Sequence, residues 1–109
     1  MKQSEIKFDI TLDDNSVPEK IMWAASDTDK QSEAKAIMLA IWDAHEQTTM
    51  RIDLWNKEMK TDEMKQMVHQ TLMTLADAFE RATGEKPMAG AMREFGQFFA
   101  EKMKLVGPL

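Results

Sequence analysis

The sequence predicts an α+β fold: about four antiparallel strands in two hairpins, with two C-terminal helices packed on one face of the sheet. Three observations carry this. Apolar residues alternate with polar ones through residues 6–12 and 49–55, the two-residue period of a strand. Apolar residues recur every three or four positions from Met64 onward, the period of a helix. The two regimes are separated in sequence, strands first and helices last, which favours α+β over an alternating βαβ chain. At 109 residues the chain has the length of one domain, 1–109, large enough for a core without disulfides or metal.

In order along the chain, Ile6, Phe8, Ile10 and Leu12 alternate with Lys7, Asp9 and Thr11. Asp13-Asp14-Asn15-Ser16 then supplies turn formers, and Pro18 suits a turn or strand edge. Ile21 and Trp23 continue the alternation, so a first hairpin is predicted. Residues 26–32, SDTDKQS, read as a polar loop.

The run AKAIMLAIWDA admits two readings. Its Ala, Met and Leu favour helix, but Ile37 to Trp42 is unbroken by any polar residue. That suits a strand buried on both faces better than an amphipathic helix. Met50, Ile52 and Leu54 alternate with Arg51 and Asp53, and Ala44 to Thr48 forms a loop between the two runs, giving a second hairpin. Thr61 is the expected cap of the first helix, with Asp62 and Glu63 near its positive end. Gly84 suits its C-terminus, and Pro87 the first turn of the second helix. Met88, Met92, Phe95, Phe99, Met103 and Val106 form that helix's apolar face, which frays at Gly107-Pro108.

Composition narrows the chemistry. The chain has no cysteine, which removes thiolate metal sites, cysteine nucleophiles and disulfides. Nineteen acidic against fourteen basic residues give a net charge of −5; with no basic patch, nucleic acid is a poor partner. No apolar run reaches the length of a membrane span and the N-terminus has no apolar h-region, so a cytoplasmic location is expected. Eleven methionines read mainly as flexible core filling.

The densest mix of ionisable and apolar residues lies between Arg51 and Lys86. With Met64 at zero and about 100° per residue, Val68, Leu75 and Phe79 fall within roughly 60°, and Leu72 within about 80°. Asp62, His69 and Glu80 fall near 140–160°, and Asp77 near about 220°, on the expected solvated back. Asp62 and His69 are about 10 Å apart along the axis, and His69 and Glu80 about 16 Å. A metal needs its ligands within about 2–2.6 Å of one centre. Asp77 is four before Arg81, so a surface ion pair is expected. His45 falls at a loop tip. No glycine-rich phosphate loop or nucleophile elbow is present. The reading is therefore not an enzyme, with no catalytic residue, no metal and no cofactor. Trp42 and Trp55 fall opposite Ile41 and Leu54; with Met22 and Met38 they form the candidate partner surface.

The segments SEIKFDITLDDNSVPEKIMW, KAIMLAIWD, RIDLW, DEMK, HQTL, FERATGEK, MRE and FFAEK, in that order from Ser4 to about Lys104, resemble the GldC family of gliding motility-associated proteins of the Bacteroidota. Met59-Lys60-Thr61 departs from the family's usual apolar or proline-containing approach to the first helix. The resemblance implies a small soluble accessory protein of gliding motility; joined to the lack of a reactive constellation and to the Trp/Met face, it gives the reading of a non-enzymatic protein acting through protein–protein contacts. It implies other gliding components as partners, the lipoprotein GldB among them, and it carries over no catalytic residue. The alternative is a small-ligand-binding domain or cryptic enzyme with a pocket between sheet and helices, His69 or Asp53 at its rim. A homo-oligomer joined through exposed strand edges is the third reading.

Overall fold

The computed structural model describes residues 2–27 and 30–105. It has the predicted α+β class, with five strands and two helices: β1 (Ile6–Leu12), β2 (Pro18–Ala25), β3 (Ser32–Ala34), β4 (Ala36–Asp43), β5 (Thr48–Trp55), α1 (Thr61–Thr83) and α2 (Lys86–Lys102). The strands form two antiparallel sheets rather than one, a three-stranded sheet in the order β1-β2-β3 and a two-stranded ribbon of β4 and β5. The chain divides into two compact units, residues 1–59 and 60–109.

Both predicted hairpins are present. β1 meets β2 with Phe8 opposite Trp23 and Ile10 opposite Ile21, and the register shifts between Thr11 and Leu12. Residues directly opposite in an antiparallel pair lie on the same face. Ile6, Phe8, Ile10, Ile21 and Trp23 therefore share one side, and Lys7, Asp9, Lys20 and Met22 the other. Ile21 is the one large apolar side chain fully buried among the described residues. β3 was not expected: it begins at Ser32, the last residue of the predicted loop, and Ser32, Glu33 and Ala34 pair with Trp23, Met22 and Ile21. Three residues are too few for alternation to announce a strand.

The ambiguous run is a strand, β4. It pairs with β5 over its whole length, Ala36 opposite Trp55 through Asp43 opposite Thr48. One ribbon face is apolar through Ile37, Leu39, Ile41, Met50, Ile52 and Leu54, with Asp43 and Thr48 at its turn end. The other carries Met38, Trp42, Trp55, Arg51 and Asp53. The expectation of a strand buried on both faces meets a different outcome, since Ile41 is 49% and Trp42 66% exposed. Gln47 closes the ribbon turn at φ 52°, and the Asp43 carboxylate accepts the N–H groups of His45 and Glu46 at 2.9 and 2.7 Å.

In the helical unit, Lys60 rather than Thr61 is the N-cap. Its N–H donates to Glu63 Oε1 at 3.0 Å, the backward half of a capping box. Gly84 ends α1 in the left-handed region at φ 74°, its N–H donating to the Glu80 carbonyl at 2.8 Å. Pro87 stands in the first turn of α2, as expected. The predicted fraying point Gly107-Pro108 and the face residue Val106 lie outside the described residues.

The side of α1 that the angles assign to water is the side against α2. Met73 lies over Gly96, His69 stacks on Phe99 with ring centroids 6.5 Å apart, and Ala76, Ala89 and Ala100 are buried. Small residues win this side because they let two backbones approach. The bulky Leu75, Met88 and Phe95 are left exposed on the flank. Gly96 has Met73 where a Cβ would stand, whereas nothing lies within 4 Å of that position at Gly90. Gly96→Val should therefore destabilise by about 1–3 kcal/mol through overpacking. Gly90→Ala should stabilise by about 0.5–1 kcal/mol through helix propensity. Urea denaturation of the two variants reads both signs.

Candidate functional site

The ionisable residues in the best-formed polar contacts hold the fold together. Arg93 of α2 reaches α1, its guanidinium donating to Asp77 Oδ1 at 2.8 Å and to Glu80 Oε1 at 2.9 Å. The predicted partner of Asp77 was Arg81; the cross-helix arginine takes its place because the polar stripe turns toward α2. The two carboxylates raise the Arg93 pKa above its ordinary value, Asp77 first. Among the described residues no three His, Asp or Glu side chains gather as a metal-binding group. The two histidines belong to different units, His45 in the ribbon turn and His69 stacked on Phe99.

Asp13 is the most perturbed acid. Its carboxylate pairs with Lys57 and accepts the N–H groups of Asn15 and Val17 at 2.8 and 2.9 Å. The Lys57 hydrogen bond foremost, then the Val17 N–H, holds its pKa at about 2 against an ordinary 3.8. Every donor stabilises the ionised form, so this is a fold-holding carboxylate rather than a proton-transfer group.

Met38, Trp42 and Trp55 share one face of the ribbon, since Met38 faces Asp53, Trp42 faces Thr49 and Ala36 faces Trp55. Trp42 and Trp55 are 66% and 53% exposed. They do not touch. Six residue positions, about 20 Å along the strands, separate their rows, with the Arg51–Asp53 pair at 2.7 Å between them. Met22 is not brought to this face; it lies half-buried in β2, opposite Asp9 and Glu33. Sequence reasoning missed Ile41, Met50 and Ile52, which expose a second apolar surface on the other ribbon face. Their alternation identified the strand, but alternation does not say whether the apolar side is covered.

The helical unit carries a shallow groove of about 280 Å³ lined by Leu72, Met88, Ala91, Met92 and Phe95. It has no titratable lining group and lacks the convergent polar groups that orient a small ligand. No described helix is long and apolar enough to cross a membrane.

These features define a small α+β protein whose charged groups secure turns and helix pairing while its ribbon presents large apolar side chains outward. The model of the family described as "Gliding motility-associated protein GldC-like" matches residues 18–105. The chain belongs to that GldC-like family, which is associated with gliding motility and is not a known enzyme family. Neither a curated protein nor a solved structure matches the chain.

The Asp13 geometry has a definite pH signature. Its folded pKa lies below the unfolded value, so its stabilisation is complete above pH 3.8 and is lost as pH falls toward about 2. Asp13→Asn should lower the urea midpoint at neutral pH, and the gap to the native chain should close between pH 3.8 and about 2. Parallel urea titrations across that window measure it.

Proposed function

We propose that this protein is a non-enzymatic accessory component of gliding motility that acts through protein–protein contacts as a single functional domain. Membership of the GldC-like family supports the process. The observation that carries the mode of action is the exposure of Trp42 and Trp55 on one ribbon face. Tryptophan concentrates binding energy when a partner desolvates it, and a partner spanning the ribbon face would engage the two side chains as separate anchors. Met38 completes the surface, and Met22 stands apart from it. The family resemblance suggests another gliding component as the partner, with the lipoprotein GldB the first candidate, in the cytoplasm of a gliding member of the Bacteroidota. Cell fractionation separates the location from the partner.

Affinity capture from gliding cells, with captured proteins identified by mass spectrometry, tests the surface. A gliding component should be recovered with the native chain. Its recovery should fall at least about tenfold when Trp42→Ser and Trp55→Ser are combined, the change expected from losing one or two interface anchors. Circular dichroism should remain unchanged. Undiminished recovery with the double variant removes these tryptophans from the interface.

A further inference from the structure

The ribbon has a further property, independent of the motility partner. Neither long edge of the ribbon, along β4 or along β5, pairs with a further strand among the described residues, and only the β5 edge carries charges of both signs within the strand. A two-stranded ribbon is marginal alone, and a long apolar edge strand is a template for further pairing. The β5 edge, Thr49-Met50-Arg51-Ile52-Asp53-Leu54-Trp55, carries opposite charges at the two positions that flank Ile52.

We propose that β5 pairs antiparallel with β5 of a second copy of this chain about a two-fold axis at Ile52, joining two ribbons into a four-stranded sheet. In that register Arg51 of each copy faces Asp53 of the other, Met50 faces Leu54, Ile52 faces Ile52 and Thr49 faces Trp55. The neighbouring registers are worse for definite reasons. A shift of one position puts Arg51 and Asp53 of one copy on the side of Met50, Ile52 and Leu54 of the other. Moving the axis to Arg51 or to Asp53 sets like charges directly opposite one another. The axis at Ile52 satisfies both conditions and pairs all seven residues. The same two charges that deter indiscriminate edge pairing thus select a second copy in one register. For a chain of net charge −5, self-association is favoured at an edge whose own charges cancel.

β1 shows a related pattern, Lys7 and Asp9 flanking Phe8, but it lies in a three-stranded sheet and its pairing with β2 is interrupted between Thr11 and Leu12. A bulge of this kind blunts an edge. The dimer also alters the aromatic surface. Trp42 lies in the row of Thr49, and Thr49 faces Trp55 of the second copy. Tryptophans whose rows are about 20 Å apart in one chain come to lie two strand spacings, about 10 Å, apart across the interface.

Sedimentation velocity on the full chain tests this. The native chain should sediment at twice its 12.5 kDa mass. Arg51→Asp alone and Asp53→Arg alone should each weaken the dimer roughly thirtyfold, because both symmetry-related pairs become repulsive. Mixing the two variants one to one should restore a dimer, as should a chain carrying both substitutions, since each regains opposite charges. Lys7→Asp should leave the dimer intact. A native chain that stays monomeric at its highest soluble concentration overturns the proposal. So does a dimer that ignores the single reversals, that Lys7→Asp dissociates, or that neither the mixture nor the double variant restores.

Discussion

The unit built of strands depends on a polar clamp. Asp13 closes the β1–β2 turn through two backbone N–H groups and holds Lys57, which follows β5. One carboxylate therefore ties the first hairpin to the end of the second. Beside it, Asn56 is 2% exposed; its N–H donates to the Lys35 carbonyl at 2.8 Å and its side-chain oxygen accepts the Glu58 N–H at 3.0 Å. Buried polar groups endure where each has a partner, and these contacts align the segment leaving β5 with the start of β4. With Ile21 the sole large side chain fully buried among the described residues, such contacts fix geometry that apolar burial alone leaves loose.

The helical unit solves its packing differently. Ala76, Ala89, Gly96 and Ala100 bring α1 and α2 together, and Arg93 fastens one end of the contact. Large apolar residues are thereby displaced to the flanks, where Leu75, Met88 and Phe95 remain exposed. Each unit, taken by itself, carries exposed apolar side chains.

Much of this was legible in residue order. Alternation located β1, β2 and β5, an unbroken apolar run marked β4, and Gly84 and Pro87 marked the break between the helices, because these signals are carried by neighbouring residues. The sidedness of α1 was not legible. A hydrophobic stripe at Leu72, Leu75 and Phe79 looks like the packing face by area, yet Met73 and Ala76 make the helix contact because Gly96 and Ala100 admit a close approach. That choice depends on the partner helix. β3 escaped for a similar reason: its three residues become a strand by pairing with β2. The tryptophan face followed from period two, whereas Met22 was grouped with it on composition and belongs to the other sheet. The assignment of Asp77 to Arg81 failed because nearest-in-sequence charge was preferred to Arg93, sixteen residues away.

Residues 32–43 run from β3 into β4 with only Lys35 between them, so one stretch of backbone passes directly from the first sheet to the ribbon. Adding or deleting a single residue there would turn every side chain of β4 over relative to β3. Evolution can lengthen or shorten the connection that precedes Ser32 without that penalty. At Lys35 the length of the chain is fixed, and homologous sequences should keep their gaps away from it.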